Sequence, residues 1–316
     1  MSSFDLTPFK GIFVPAMTFF DREGNLDEPA TANHWRWLLD QGIDGLVVAG
    51  TSGEFISLSM EERLRLFRLA MDVAGGRVPI VAGTGHAATK WTVEMSQQAQ
   101  EMGVNAFIVT LPYYSLPPLE SVLEHYRTLR RNTDRPIMLY NNPGFTACKA
   151  LTPRQVAELV EDDVLHMIKS TMESVIPIHE LVYLVGDKMR IFYGSFMAAY
   201  EALAAGAHGW ISGLLNVAPT VAGELYRALA IEKDMQKGFA LWRRLLPLVH
   251  LYTHGQLGTA QDLPIYRGIL RLWGLEGGYS RPPMLPLNDE QMKLLEKRLA
   301  EAGWLEVPSP FGRGLG

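Results

Sequence analysis

The sequence has a single cysteine, Cys148, which excludes an internal disulfide and a cysteine-built metal cluster. No run approaches the ~18 apolar residues of a membrane helix. The first ten residues, Met1 to Lys10, lack the charged segment and apolar stretch of a secretory signal. A cytoplasmic protein is the expectation these absences leave. Charge of one sign is also missing. The net charge is −5, with no basic stretch and no block of like charges, so neither nucleic acid nor an anionic membrane has an electrostatic footprint. No G-x-G-x-x-G follows the first apolar run, which leads instead into Thr18-Phe-Phe-Asp-Arg-Glu-Gly24. That argues against a doubly wound nucleotide-binding sheet and against a phosphorylated substrate. His34, His86, His125, His166 and His179 are scattered, with no H-x-H or H-x-x-x-H pair at a strand end, so no metal is expected.

What is present is an ordinary globular composition over 316 residues, 47% hydrophobic and 20% charged. Eight short apolar runs recur: Ile12–Thr18, Gly45–Gly50, Pro79–Gly85, Ala106–Pro112, Pro136–Asn142, Val164–Thr171, Met189–Ser195 and Gly209–Leu215. Each has the length of a strand buried on both faces. Amphipathic segments separate them. Ser59-Met-Glu-Glu62 reads as a capping box, and Thr152-Pro153 as an N-cap followed by a proline at the first helical position. Gly42, Gly75-Gly76, Gly103 and Gly206 fall where helices should stop. Strand–helix alternation repeated eight times predicts a (β/α)8 TIM barrel. After Asn216 the pattern is helical only: Val217–Ile231, Met235–Thr253, Leu263–Trp273 and Asp289–Ala302. The expected division is a barrel over 1–225, a C-terminal helical appendage over 226–305, and a disordered tail over 306–316.

In this architecture chemistry sits where the strands end in βα loops. The sixth strand carries Lys169 near its C-terminal end. Lysine is rarely buried unless paired or working, and a desolvated amine can attack a ketone to form a Schiff base. Alternation puts Met167, Lys169 and Thr171 on one face, assigned to the barrel interior, and His166, Ile168 and Ser170 on the other. The second strand ends in Gly50-Thr-Ser-Gly-Glu54, which reads either as a tight turn or as a cradle of N–H groups for a carboxylate. Tyr140 ends the fifth strand, as a core aromatic or as a proton relay. An amine, a phenol and an anion cradle at one end of one barrel are what imine chemistry on a 2-oxo acid needs.

Gly50-Thr-Ser-Gly-Glu54, Pro112-Tyr-Tyr114, Tyr140-Asn-Asn-Pro143, Ile168-Lys169 and Gly209-Trp-Ile-Ser212, in that order and spacing, resemble the dihydrodipicolinate synthase / N-acetylneuraminate lyase superfamily to about residue 305. The resemblance implies a Schiff-base lysine at Lys169 and a proton relay at Tyr140, hydrogen-bonded through Thr51 or Ser52. It implies that Tyr114 reaches into a neighbouring subunit of a homotetramer, a dimer of dimers. It also implies that Ser52 and Gly53 take the 2-oxo acid carboxylate, that Ile211 packs over the pyruvyl group, and that no cofactor is needed beyond the covalent imine. Where the lysine-biosynthetic enzymes carry a carboxylate-binding arginine, this chain has Phe145, which replaces a bidentate donor with an apolar wall. Phe55, Ile56, Ala87 and Trp91 stand where the feedback-lysine cleft of those enzymes is polar or small. Ser195, Ser212, Asn142 and Thr146 are candidate donors to a polyol tail, and Phe196 and Trp210 are candidates for an apolar distal wall. The expected function is a class I pyruvate-linked lyase or aldolase acting on an unphosphorylated 2-keto-3-deoxy acid or related 2-oxo acid. The alternatives are an authentic dihydrodipicolinate synthase and a non-catalytic ligand-sensing barrel.

Overall fold

The computed structural model describes residues 2–307. Eight parallel strands close on themselves in chain order: β1 Gly11–Pro15, β2 Gly45–Val48, β3 Ile80–Gly83, β4 Ala106–Thr110, β5 Ile137–Asn141, β6 Met167–Ser170, β7 Arg190–Tyr193 and β8 Gly209–Trp210. Seven of the eight apolar runs contain a strand whole, β1 begins one residue before the first run at Gly11, and the ladder closes through Gly11 opposite Gly209. Between strands lie α1 Glu28–Asp40, α2 Met60–Ala74, α3 Thr89–Glu101, α4 Leu119–Asn132, α5 Pro153–Glu161, α6 Ile176–Val185 and α7 Ala199–Ala204. The helix starts are those the sequence marks. Ser59 and Glu62 form a reciprocal capping box on α2, and Thr152 caps α5 with Pro153 in its first turn. Gly75 closes α2 in the left-handed conformation, where a Cβ is costly.

Two apolar cores result. The inner one fills the barrel with residues from alternate strand positions, among them Phe13, Met138, Met167, Phe192 and Ile211. Phe13 and Phe192 meet edge to face with centroids 5.0 Å apart. They fit because Gly45 and Gly209 have no Cβ: one there would lie 2.3 Å from the Phe13 ring and 2.5 Å from the Phe192 ring respectively. The outer core packs the helices on the strands, with Ile168 and Leu139 facing it. Met167 therefore points in and Ile168 out, which sets Lys169 on the inner face.

Past β8 a short 3-10 turn, Gly213–Asn216, leads into α8 Pro219–Tyr226, which continues as a π-helical turn over Arg227–Glu232. Residue 225 thus lies inside one helical run, and the helices that follow are α9 Met235–Thr253, α10 Asp262–Leu272 and α11 Asp289–Glu301. Among the described residues no helix is long and apolar enough to cross a membrane. The expected tail over 306–316 lies, from residue 308 onward, outside the described residues.

His34 and His125 are buried in the core, each with a hydrogen-bond partner on one ring nitrogen. His34 meets the Asn216 amide oxygen at 3.1 Å, and His125 meets the Thr89 hydroxyl at 2.9 Å. Burial lowers both pKa values to about 4. In the unfolded chain they return to about 6.5, so between about pH 6.5 and pH 4 the unfolded state binds more protons and stability rises with pH. Acidification through that window is expected to remove about 3 kcal/mol for each histidine by pH 4. Urea melts across this range check it: His125→Gln should flatten the dependence, and a stability that does not change with pH would contradict neutral burial.

Candidate active site

Lys169 stands on β6 directly opposite Tyr140 on β5, and Tyr140 opposite Thr110 on β4. All three are at least nine-tenths buried and line one cavity at the C-terminal end of the barrel, with Thr51 and Gly50 from the β2 loop. The Lys169 ammonium lies over the Tyr140 ring, Nζ 4.0 Å from its centroid. Gly194, after β7, makes the lysine's path possible. A Cβ there would sit 2.9 Å from Lys169 Cγ and 2.0 Å from Thr171 Oγ1.

The Tyr140 hydroxyl has two donors. Asn142 Nδ2 donates to it at 2.8 Å, and Thr51 Oγ1 donates at 3.5 Å. The Asn142 amide is oriented by its other end, since Oδ1 accepts the Gly144 N–H at 3.2 Å, so the NH2 group must face the phenol. Burial pushes the Tyr140 pKa up, but the neighbouring Lys169 charge and the Thr51 hydroxyl outweigh it and leave the phenol below its usual value. The geometry gives an amine, an acidified phenol and a hydroxyl along one cavity.

The Gly50–Gly53 turn is bracketed by two non-glycine residues in left-handed conformation, Ala49 at φ 51° and Glu54 at φ 55°. Such strain clusters at functional sites. Gly83 permits it: a Cβ there would lie 2.0 Å from the Ala49 carbonyl. Among the described residues, no acceptor meets the backbone N–H of Ser52 or Gly53. Two adjacent free N–H groups beside a buried hydroxyl are the donor set that an anion would need. Glu54 is itself buried and paired, Oε1 at 2.8 Å from Arg267 Nη2 on α10 and Oε2 accepting the Arg281 N–H at 3.0 Å.

Other residues singled out in the sequence land differently. Ile211 is fully buried inside the barrel. Ser212 is buried and its hydroxyl accepts the Leu214 N–H at 3.4 Å; the Ser195 hydroxyl accepts the Met197 N–H at 3.2 Å. Both are occupied as acceptors but retain a proton to donate. Asn142, expected as a tail donor, instead gives its NH2 to Tyr140. Trp210 is not a pocket wall: it is fully buried in the outer core, its ring N–H on the Ser195 carbonyl at 2.7 Å. Phe145 and Tyr114 are not brought to Lys169. Phe145 rides a turn tied back to the Asn142 carbonyl and is 73% exposed, so within one chain it forms no wall of the cavity. Tyr114 is 97% exposed, with φ 78°. Sequence reasoning missed Arg63, which lines the same cavity. Its signal was register: Arg63 shares the buried face of α2 with Leu66, Phe67 and Ala70.

Asn142→Val keeps the side chain's bulk and removes the donor. Loss of a hydrogen bond to an ionising oxygen should make Tyr140 a roughly tenfold to hundredfold weaker acid. Titration of 13Cζ-tyrosine resonances, with Tyr140→Phe for assignment, reads this directly. An unchanged Tyr140 titration would show that the amide has no hold on the phenol.

The sequence matches the family model described as "Dihydrodipicolinate synthetase family" over residues 8–302. A curated 4-hydroxy-tetrahydrodipicolinate synthase of Acidothermus cellulolyticus is 32% identical over 305 residues, which cover 95% of this chain and 94% of that one. Among solved structures, the chloride-inhibited dihydrodipicolinate synthase of Acinetobacter baumannii complexed with pyruvate superposes with a TM-score of 0.84 at 29% identity, covering 93% of this chain and 99% of that one. YagE, a prophage protein of the dihydrodipicolinic acid synthase family from E. coli K12 in complex with pyruvate, gives 0.85 at 29%, covering 94% and 99%. Members of this family are class I, pyruvate-dependent lyases and aldolases. A match this long, on a barrel of this topology, leaves one assignment: the chain belongs to the dihydrodipicolinate synthetase family.

Proposed function

We propose that Lys169 forms a Schiff base with the 2-oxo acid and that Tyr140 moves the protons of the carbon–carbon step, with an unphosphorylated 2-keto-3-deoxy acid or related 2-oxo acid as substrate. The observation that carries this reading is the buried Lys169 amine stacked 4.0 Å from the Tyr140 ring in the barrel-end cavity. Structural relatives that hold pyruvate support it.

In the cleavage direction the steps balance as follows. The deprotonated Lys169 amine adds to the C2 carbonyl, and the carbinolamine loses water to give an iminium. The C4 hydroxyl yields its proton to the Tyr140 phenolate as the C3–C4 bond breaks. The electron pair runs into the iminium and forms an enamine, and the aldehyde departs. Protonation at C3 and hydrolysis release pyruvate and regenerate the amine. The Ser52 and Gly53 N–H groups hold the C1 carboxylate, Ile211 packs over the pyruvyl carbons, and Thr51 orients the phenol. Ser195 and Ser212 supply hydroxyl donors to the distal hydroxyls of the substrate. The exposed ring of Tyr114 is offered to a neighbouring subunit, in a tetramer built as a dimer of dimers, and Phe145 is exposed on its turn, outside the cavity lining.

A second reading, an authentic 4-hydroxy-tetrahydrodipicolinate synthase, is favoured by the name of the curated relative at 32% identity. Against it stands Phe145 in place of the arginine clamp. Incubation with pyruvate and borohydride, then peptide mapping, should find a reduced pyruvyl adduct on Lys169. An adduct elsewhere, or none, would sink the Schiff-base reading and revive a non-catalytic barrel. A panel of 2-keto-3-deoxy acids assayed for pyruvate release then identifies the partner aldehyde. Condensation of pyruvate with aspartate semialdehyde at ~1–10³ s⁻¹, the ordinary enzyme range, would favour the second reading.

A further inference from the structure

Two histidines that the barrel chemistry does not use stand together at the end of α9. His250 lies in its last turn and His254 is its C-terminal cap residue. The His254 N–H donates to the His250 carbonyl at 3.1 Å, so the helical turn runs through both. A spacing of four puts the two side chains on one face of the helix. Their ring centroids are 4.2 Å apart, edge to face. His250 is half-buried and His254 is exposed. Among the described residues the His250 ring makes no hydrogen bond.

Thr253 fixes which nitrogen of His254 is free. Its hydroxyl donates to the Val249 carbonyl at 3.0 Å, which uses its single proton. The same hydroxyl meets His254 Nδ1 at 3.2 Å, and that contact must run the other way, with Nδ1–H donating and the hydroxyl accepting. In a neutral imidazole this leaves Nε2 without a hydrogen and with its lone pair open to solvent. Histidines that ligate metals are oriented in this manner, by a hydrogen bond to the nitrogen that does not bind the ion. The helix adds to it, because the last carbonyls of α9 give its C-terminal end a partial negative charge that favours a cation.

We infer that His250 and His254 form a site for a divalent transition metal of the Zn²⁺, Ni²⁺ or Cu²⁺ class, held through one nitrogen of each imidazole. Imidazole suits these ions, whereas Mg²⁺ and Ca²⁺ require oxygen ligands. Among the described residues no third His, Cys, Asp or Glu joins the pair, so water completes the coordination. The χ2 torsion of histidine is soft, and the exposed His254 ring can turn to share an ion with His250. The site is separate from Lys169 and takes no part in the imine chemistry. Its ion clamps the end of the helix whose Tyr252 packs edge to face on Phe196, at 5.7 Å, beside Ser195 of the β7 loop.

Calorimetric titration of the untagged full-length protein with Ni²⁺, and separately with Zn²⁺, tests this. One ion per chain is expected, with no heat from Mg²⁺. Thr253→Val keeps the shape and removes the hydroxyl that orients His254. It should weaken binding by about tenfold to a hundredfold, the range for losing a supporting contact to a metal-bound histidine. His250→Ala and His254→Ala should each abolish binding, and circular dichroism checks that all three variants are folded. Equal affinity in wild type and variants would place the ion elsewhere on the chain and overturn the inference. So would a wild type that binds neither ion, a result that needs no variant to fold. Half an ion per chain, lost in the same variants, would move the site to a junction between two copies and overturn the single-chain site.

Discussion

The buried ion pair between Glu54 and Arg267 is the constraint on which the active end of this barrel depends. Glu54 closes the Gly50–Gly53 turn in a left-handed conformation that its side chain must hold in place. Arg267, 2% exposed on α10, meets it and also donates to the Thr18 carbonyl at 2.6 Å, the Gly277 carbonyl at 3.0 Å and the Ser280 hydroxyl at 3.1 Å. With so many partners the pair is well satisfied, and removing either member would strand the other, at a cost of about 3–5 kcal/mol. Arg281 adds a fork onto Glu62, Nη2 to Oε1 at 2.6 Å and Nη1 to Oε2 at 3.0 Å. The C-terminal helices are therefore a brace that shapes the loop presenting the Ser52 and Gly53 N–H groups, as well as cover for the barrel.

Much of this was legible in the chain. Strands buried on both faces are continuous apolar runs, so Ala106–Thr110 and Ile137–Asn141 stand out without structural help. The pleat's two-residue period fixed which side of β6 faces inward once the barrel was recognised. Tyr140 and Lys169 were legible as a pair because each ends a strand, and parallel neighbours in register bring such ends together. Less visible were contacts that join residues distant in sequence through side chains of ordinary surface type. Arg267 sits in a helix with two other charged residues, Asp262 and Arg271, and 213 positions separate it from Glu54. Arg63 follows an exposed glutamate, Glu61, and the ion-paired Glu62, and reads as a surface charge until its register with Leu66 and Phe67 is counted. The Asn142 contact depends on a side-chain rotation that no spacing encodes.

The electrostatics of the chamber follow from what is buried with what. Lys169 and Arg63 bring two cations into one cavity, and Tyr140 is the ionisable group nearest the first. The field of the lysine favours the phenolate, and the Thr51 hydroxyl adds to it, so the phenol sits below its usual pKa despite its burial. Phe55 lies against the guanidinium, and the Gly83 and Gly85 carbonyls accept from its Nη2. Excluding water from such a space strengthens each of these interactions.

Gly194 has a consequence for how this scaffold can diverge. The smallest possible side chain there would collide with two methylenes of Lys169. The lysine threads a keyhole that random substitution can only block. Gly83 and Gly53, pressed against the Ala49 backbone, are similarly intolerant. The reactive half of the pocket is thus walled in by positions with no neutral neighbours in sequence space. The exposed turn around Phe145 and the faces of Ser195 and Ser212 can vary without touching it. A lineage built on this barrel would be free to change what it cleaves long before it could change how.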